Sequence, residues 1–471
     1  MSKGPKVGEK KKFQLPHIFI ILFGITVFCA ILTWIVPAGE FDRVENAATG
    51  KMVAVAGSWH EVDPSPVGLF QLFQSVFNGM VNASEIIFFV FIAFASTTFI
   101  IKSGAFDGLV VVLMKIFKGK SSVLIIPLFM ALFGLGSSTV GMFEEWLPFI
   151  PIFAAIFIGI GYDAVVGLAV VALGAGIGYS GAAMNPFTVG VAQGIAEVEY
   201  MSGAGFRVFC HVCMLVVGSL LVIRYALKVK ADPTKSLVYG DDFTELLNAG
   251  GEVGEREFGW RQKLVLLDLL VAIAFVVWGT KVHGWYFAEL SAVFLIMGIV
   301  AAIIMGYKIN EVGDIFAKGC VEATTAAMMI GLARSILIVL QSGNIIDTVV
   351  YAFATPLSYL PVWLSAIAML IMQTLLNFFI PSGSGQAATS MPIMAPVADI
   401  LGITRDTAVL AFQFGDGLSN IVWPTAYAAI MAGLAGVKVE KWWKFIFPIF
   451  FALIGVQAVL MVVAVYTNFG A

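Results

Sequence analysis

The sequence has little charge. Asp, Glu, Lys and Arg make up 12% of its 471 residues, about half of the roughly 25% found in soluble domains. Apolar residues make up 60% of the chain, and the mean hydropathy is +0.95. This balance excludes an ordinary soluble domain and predicts an all-α polytopic membrane protein. We therefore expect a lipid bilayer around the chain and no nucleic-acid partner.

Cysteine and histidine are also scarce, at four residues each. Cys210 and Cys213 resemble half of a metal site, but no second pair or histidine cluster completes it. The His-Glu-x-x-His and Gly-x-Ser-x-Gly motifs of hydrolases are absent. Asp163 and Asp416 faintly suggest an intramembrane aspartyl protease, but Gln413 precedes Gly415 where the fuller Gly-x-Gly-Asp motif needs glycine. We expect neither enzymatic activity nor a cofactor.

A lysine-rich N-terminus precedes the first apolar run, residues 18–36, which has no small-residue cleavage pattern. The excess of lysine before the run predicts an uncleaved first span with a cytoplasmic N-terminus in a bacterial inner membrane. Residues 37–64 form a predicted outer loop. The lysines in question are Lys3, Lys6, Lys10, Lys11 and Lys12.

Glycine, serine and proline interrupt four of the later apolar runs. Residues 121–157 are interrupted near 134–141, which leaves arms of about 15 residues, roughly 22 Å of helix and too short to span comfortably. We interpret them as a re-entrant hairpin, and residues 359–400, interrupted at 381–386, as a second one. Residues 163–200 and 407–434 are interpreted as broken helices, interrupted at 176–181 and at 415–425. The total expectation is about nine transmembrane helices plus two re-entrant hairpins.

The two halves of the chain match at an offset of about 240 residues. Gly136-Ser137-Ser138 corresponds to Gly383-Ser384-Gly385, and Gly178-Tyr179-Ser180 corresponds to Gly417-Leu418-Ser419. Both broken helices are followed by a proline. This order predicts a first repeat over 1–226, a cytoplasmic linker over 227–262 and a second repeat over 263–471.

Charge predicts that these repeats are inverted. Lys102, Lys115, Lys118 and Lys120 flank the first hairpin, whereas no Lys or Arg occurs between Arg334 and Arg405. By the positive-inside rule the first hairpin enters from the cytoplasm and the second from outside. Broken helices and hairpin tips at membrane depth are tolerated only where they line a cavity or bind a solute. The pattern is typical of secondary transporters that work by alternating access; a channel stays an alternative.

Several segments carry a family resemblance, namely 36–40, 141–145, 333–334 with 343–347, 381–387, and 415–417 through 424–425. They resemble the YfcC-like basic amino acid (arginine/ornithine) antiporter family, within a wider group of anaerobic C4-dicarboxylate carriers and other paired-hairpin ion transporters. The resemblance implies scaffold and transport domains, a homodimer and an elevator-like motion. Some relatives use Ser-Asn-Thr at the hairpin tips for sodium, which this chain lacks, so the coupling ion, Na⁺ or H⁺, stays open.

Charged residues near the tips and breaks are the main site candidates, because a charge inside a membrane is costly and usually functional. Glu144 and Glu145 would recognise a guanidinium or ammonium group; the alternative is a structural ion pair or a hairpin cap. Asp416 would complete a cationic subsite, hold a coupling proton or sodium, or cap a half-helix. Arg334 would bind a substrate carboxylate, or else pair with Glu322 or Asp347.

Hydroxyl and amide side chains at the tips and breaks complete the candidate set for substrate binding. The alternative role for the asparagines is to form hydrogen bonds with backbone groups that a helix break leaves unpaired. Trp442 and Trp443 are interpreted as anchors at the membrane interface. The candidates are Ser137, Ser138, Thr139, Asn185, Ser382, Ser384, Gln386, Asn420 and Thr425.

The sequence thus favours an antiporter that exchanges a basic amino acid for a related one. A cation-coupled carrier of a C4-dicarboxylate or another carboxylate is the second hypothesis. A neutral amino acid or a small peptide is also open as the substrate.

Overall fold

The computed structural model describes most of the chain and leaves out its N-terminal lysines, Lys115, Lys118 and part of the predicted linker. The expectations that rest on those residues lie outside the described part. The described residues are 17–46, 51–55, 57–105, 119–139, 141–185, 187–244, 246–247, 259–285, 287–356 and 360–470.

The first half of the described chain contains eight α-helices, a small β-segment and three 3₁₀ turns. The turns are Gly119–Leu124, Glu144–Trp146 and Pro233–Lys235. The strands are β1 (Gly39–Glu40), β2 (Arg43–Asn46), β3 (Lys51–Ala54) and β4 (His60–Glu61). The helices are α1 (Ile18–Leu32), α2 (Leu69–Asn82), α3 (Ser84–Lys102), α4 (Ile125–Thr139), α5 (Phe149–Gly159), α6 (Ala164–Ser180), α7 (Val189–Ile195) and α8 (Ala204–Ala231).

The second half contains helices and no β-strand among its described residues. Its last two helices, of 7 and 28 residues, repeat the lengths of α7 and α8. The helices are α9 (Trp260–His283), α10 (Phe287–Met305), α11 (Ile309–Ser342), α12 (Ile346–Ala354), α13 (Val362–Phe379), α14 (Gly383–Leu401), α15 (Arg405–Ser419), α16 (Ala428–Leu434) and α17 (Val439–Tyr466).

Seven helices among the described residues are long and apolar enough to cross a membrane. Their outward faces carry large exposed apolar side chains, such as Phe209, Val216 and Leu220 on α8, which suits contact with lipid. The chain is therefore an all-helical, multi-pass membrane protein, as predicted. The seven segments are 84–102, 122–139, 204–231, 287–305, 309–342, 362–379 and 439–466.

The helices form two groups. In the first, α11 packs against α1, α2 and α3, and α10 packs between α3 and α9. Small residues bring these backbones together: a Cβ atom at Gly79 of α2 would lie 2.5 Å from the carbonyl oxygen of Gly331 on α11. We call this set (α1, α2, α3, α9, α10 and α11) the outer bundle.

The second group, which we call the core group, contains α4–α8 and α13–α17, and it is organised around α6 and α15. These two helices cross in close contact, because a Cβ atom at Gly417 would lie 2.3 Å from the Cα atom of Ser180. The Ser180 hydroxyl donates to the carbonyl of Phe414 (3.2 Å) at the same crossing. Small residues here permit an approach that any side chain would block.

The long helix α8 shows that α6 and α15 begin at opposite ends of the core group. Asp163, which caps the N-terminus of α6, accepts a hydrogen bond from Tyr225 of α8 (2.7 Å). Asp406, in the first turn of α15, pairs with Arg207 of α8 (2.7 Å). Arg207 and Tyr225 are 18 positions apart, roughly 27 Å along a helix. Opposite starting ends are what inverted repeats require; the division of the chain at 227–262 stays a prediction.

Three of the four breaks lie just beyond the predicted glycines, which corrects three expectations, while the fourth, at residues 380–382, overlaps the predicted interruption and is shorter than expected. Helix α4 continues through the glycines near 134–136 to Thr139, and α6 continues through 176–180 to Ser180. Helix α15 continues through 415–417 to Ser419, and α14 begins at Gly383, inside the expected interruption. The physical reason is that these glycines lie at buried helix contacts, where they allow close packing without ending a helix.

The first arm of the first predicted hairpin is longer than expected. Residues 122–139 form a helical segment of 18 residues, or roughly 27 Å. The expectation of an arm too short to span was therefore wrong for this segment. That the two helices of each predicted hairpin turn back within the membrane stays a prediction.

The β-segment between α1 and α2 was not predicted. Strands β1 and β4 pair, as do β2 and β3, and the segment lies on α12. The Arg43 guanidinium pairs with both Asp347 oxygens (2.9 and 2.8 Å), the Gly39 amide donates to the Asn344 carbonyl (2.8 Å), and Trp59 stacks on Tyr351. These contacts fix the segment as a lid over one end of the molecule.

The Arg207–Asp406 pair generates a stability prediction. Both side chains are buried, and Asp406 also accepts from Ser202 (2.5 Å), so removing Arg207 leaves an uncompensated buried carboxylate. We expect Arg207→Ala to lower the free energy of unfolding by about 3–5 kcal/mol. The measurement is the apparent melting temperature of purified protein in detergent.

The matched control for this measurement is Lys318→Ala, which removes an exposed pair with Glu322 (3.9 Å) and should cost at most about 1 kcal/mol. Equal melting temperatures for the two variants would contradict the assignment of Arg207 and Asp406 as a structural link.

Candidate functional site

A cavity of about 100 Å³ lies where the outer bundle meets the core group; we call it the inner cavity. The segment after α4, the segment before α14 and both helix breaks reach it from the core group, while α3, α10 and α11 close it from the outer bundle. Its lining residues are Ile86, Gly141, Phe143, Glu144, Glu145, Tyr179, Phe187, Phe287, Arg334, Pro381, Ser382, Gly383, Ser384, Asn420 and Tyr427.

Glu144 and Glu145 both line the inner cavity, in the 3₁₀ turn that follows α4. The hydroxyl of Tyr427, from the second helix break, donates a hydrogen bond to the Glu144 carboxylate. The Glu145 carboxylate instead accepts from the backbone amide of Phe143 (2.9 Å) and caps its own turn. Glu144 is thus held by another element and directed at the cavity, while Glu145 stabilises the local backbone.

Arg334 lines the same cavity from α11 and is partly buried. Neither ion pair considered as the alternative exists: Asp347 pairs with Arg43 (2.8 Å), and Glu322 faces Lys318 (3.9 Å). No carboxylate of the described residues lies within 4.0 Å of the Arg334 guanidinium. A cation with no close carboxylate partner among the described residues thus shares one small cavity with the Glu144 carboxylate.

Asp416 is buried directly behind the inner cavity rather than in its wall. One carboxylate oxygen accepts from Asn377 (3.0 Å), and the other has no hydrogen-bond partner among the described residues. That second oxygen lies 3.1 Å from the position a Cβ atom would take at Gly383, which itself lines the cavity. Only the glycine backbone therefore separates Asp416 from the cavity.

The second tip and second break reach the inner cavity. Ser382, Ser384 and Asn420 line it. Asn420 also donates to the Asp416 carbonyl (2.8 Å) and accepts from Asn377 (3.3 Å), which fixes its side chain. These residues can offer hydroxyl and amide contacts to a solute.

The hydroxyl and asparagine candidates of the first tip and first break do not line the inner cavity; they bond the backbone. Ser137 donates to the Met142 carbonyl (2.5 Å), and Thr139 donates to Leu135 (2.6 Å) within α4. Ser138 accepts from the amide of Ala183 (3.2 Å). The Asn185 side chain accepts from the amides of Phe187 and Thr188 (2.9 and 3.3 Å).

Gln386 and Thr425 also lie away from the inner cavity. Gln386 donates to the side chain of Gln373 (2.7 Å) and to its backbone carbonyl (2.9 Å), which links α14 to α13. The buried Thr425 hydroxyl has no partner among the described residues.

Sequence reasoning missed the aromatic part of the site. Tyr427 holds Glu144, and the Phe143 ring packs between Tyr179 (5.1 Å) and Tyr427 (5.0 Å). Asn377, which holds Asp416, was also missed. Apolar spans contain many aromatic residues, so nothing in the sequence singles these out; only the position of Tyr427 just past the second break is a signal.

The described residues contain no group of three His, Cys, Asp or Glu side chains that could share a metal ion. The inner cavity is therefore built from one carboxylate-bearing turn, one arginine, hydroxyls, an amide and aromatic rings.

Comparisons with known proteins identify the family of this chain. Residues 15–466 match the family described as "DcuC: C4-dicarboxylate anaerobic carrier". The chain belongs to this family. A relative from Escherichia coli K12 named "Putative basic amino acid antiporter YfcC" is 32% identical, with 94% of this chain and 95% of that protein covered. The resemblance to YfcC-like antiporters is thereby confirmed.

Other relatives extend the comparison. An uncharacterized protein of Haemophilus influenzae Rd is 29% identical, with 97% of this chain and 98% of that protein covered. Among solved structures, MtrF of Neisseria gonorrhoeae, described within a class of antimetabolite efflux pumps, has a TM-score of 0.46 at 18% identity, with 96% of each chain covered. The Alcanivorax borkumensis transporter YdaH has a TM-score of 0.44 at 15% identity, with 96% of this chain and 99% of that chain covered.

The thin wall at Gly383 generates the second prediction. A methyl group there would lie 2.5 Å from Thr188 and 3.1 Å from Asp416, so Gly383→Ala must displace the start of α14. We expect this variant to fold and to exchange substrate roughly tenfold or more slowly. The reason is that moving a binding residue by about 1 Å lowers the rate by at least this factor in sites that depend on precise positioning. Radiolabelled exchange in proteoliposomes measures it.

The control for Gly383→Ala is Gly313→Ala in α11, where a methyl group meets nothing within 4 Å. An unaffected exchange rate in Gly383→Ala, at equal protein incorporation, would show that the start of α14 does not form part of the site.

Proposed function

We propose that this chain is a secondary active transporter of the bacterial inner membrane that exchanges basic amino acids of the arginine/ornithine type by alternating access. The observation that carries the proposal is the placement of Glu144 and Arg334 around one cavity. A transport role is what membership in a family of carriers supports.

The charges favour a solute that carries both signs. Arg334 has no close carboxylate partner among the described residues, so it can bind an α-carboxylate through two parallel hydrogen bonds. Glu144 can accept from an ammonium or guanidinium group while Tyr427 holds it in place. Ser382 and Ser384 supply further hydroxyls at the start of α14.

The two helix groups support a scaffold and a transport domain. Arg334 belongs to the outer bundle, whereas Glu144 and the tips belong to the core group. We therefore propose that the core group moves against the outer bundle as an elevator, in a homodimer with cytoplasmic N-termini. Asp416, buried behind Gly383, is the residue proposed to hold a coupling ion, Na⁺ or H⁺, where one is used.

A C4-dicarboxylate is the second candidate substrate. The description of the family model favours it, and so does the unpaired Arg334 at the N-terminus of α14, where the helix dipole attracts anions. In that case Glu144 would serve cation coupling or structure, as it would repel the second carboxylate.

The main test is uptake of labelled arginine into proteoliposomes that are preloaded with ornithine or left empty, with labelled succinate in parallel. We expect arginine uptake that requires internal ornithine. Glu144→Gln keeps a hydrogen-bond acceptor for Tyr427 but removes the charge, and should lower exchange by roughly 10- to 100-fold, the value of a lost charged hydrogen bond.

Glu311→Gln, at an exposed pair with Lys102 (3.4 Å), is the matched control and should exchange normally. Uptake of succinate without arginine would refute the amino acid substrate and support the second candidate.

A further inference from the structure

A second cavity, of about 410 Å³, lies between the lid and the inner cavity; we call it the outer cavity. Arg334 and Ser382 line both cavities. The β1–β2 segment, the end of α11, the start of α12 and the start of α14 form its other walls. The two cavities thus meet at a boundary formed by an arginine and the hydroxyl that caps α14.

Volume decides what each cavity can hold. A dry cavity of about 150 Å³ accommodates benzene, which has six heavy atoms, so the inner cavity at about 100 Å³ cannot enclose a whole amino acid. The outer cavity, at about 410 Å³, lies within the range of roughly 300–1,000 Å³ typical of small-molecule sites.

The charges of the outer cavity complement an amino acid. Arg43 and Asp347 cancel each other, and Asp347 also accepts from the backbone amide of Phe41 (3.0 Å), so this pair is occupied in holding the lid. Glu40 and Arg334 remain as the other charged lining residues, and neither has an ion pair within 4.0 Å in the described part of the chain. One anion and one cation suit a solute with an ammonium and a carboxylate.

We infer that the outer cavity is a separate capture site for the transported amino acid, which binds there before it reaches Glu144. The inference rests on the proposed function and adds a second substrate position to it. Arg334 is the residue that both positions share, so the α-carboxylate stays bound to it while the cationic side chain moves from Glu40 towards Glu144. The lid, tied to α12 by Arg43 and Asp347, forms the outer wall of this site.

The test places a single reporter cysteine in the outer cavity. Thr389→Cys, in a full-length chain whose four native cysteines are replaced by alanine, is exposed in intact cells to a membrane-impermeant maleimide. We expect labelling from outside, slowed about tenfold by arginine at about ten times its dissociation constant. Gln341→Cys, also in the wall, is the second reporter in case Thr389→Cys does not fold.

Two further substitutions, each added to the reporter variant, distinguish binding in the outer cavity from binding in the inner cavity. Protection by arginine should persist with Glu144→Gln, which removes the inner anion, and should disappear with Arg334→Ala, which removes the shared cation. Glu61→Cys, exposed on the lid and outside the cavity wall, should be labelled at a rate that arginine does not change.

The outcomes are distinct for the two proposals. Wild-type exchange without protection of either reporter, or protection that disappears with Glu144→Gln, would overturn the capture site and leave the exchanger intact. Absence of arginine–ornithine exchange in the wild-type protein would instead refute the proposed function itself.

Discussion

The ends of α6 and α15 lie in the buried core, where the backbone must find hydrogen-bond partners without water. Side chains supply them. Ser138 and Asn185 bond the amides after α6, and the indole nitrogens of Trp442 and Trp443 donate to the carbonyls of Ile421 and Val422 after α15 (both 2.9 Å). The tryptophans interpreted as interfacial anchors are therefore caps of a helix break. The cavity exists because these partners allow both helices to stop inside the protein.

This requirement decides which polar residues remain for a solute. The hydroxyls and amides of the first break are occupied by backbone, whereas Ser382, Ser384, Asn420 and Arg334 reach the inner cavity. The two predicted repeats are thus unequal in chemistry: the first contributes Glu144 in the turn after α4, and the second contributes Ser382, Ser384 and Asn420. A single asymmetric site, with opposite charges on different walls, follows from this division.

The sequence was sufficient for the class of fold and for naming Glu144, Arg334 and the second tip as candidates, whereas their placement around one cavity was only inferred from the symmetry of the predicted repeats. Sequence reasoning was wrong about where the helices end, because glycine occurs both at helix breaks and at close contacts between helices. Glycines such as Gly134, Gly176 and Gly417 were interpreted as breaks because glycine weakens a helix in isolation, but tertiary packing overrides that preference when backbones must touch. The partners of Glu144 and Asp416, Tyr427 and Asn377, come from distant segments, and no local pattern encodes such a contact.

The proposed exchange has a physical basis in the position of the two opposite charges. Arg334 belongs to the outer bundle and Glu144 to the core group. In the proposed mechanism, the attraction between these opposite charges opposes any motion that separates the two groups in the empty protein. A basic amino acid carries a net positive charge and neutralises Glu144 when it binds there. In this mechanism the loaded core group is attracted less strongly to Arg334, so it can move where the empty one is held. A carrier that moves only when loaded returns only with another substrate, which is the condition for exchange rather than for uniport.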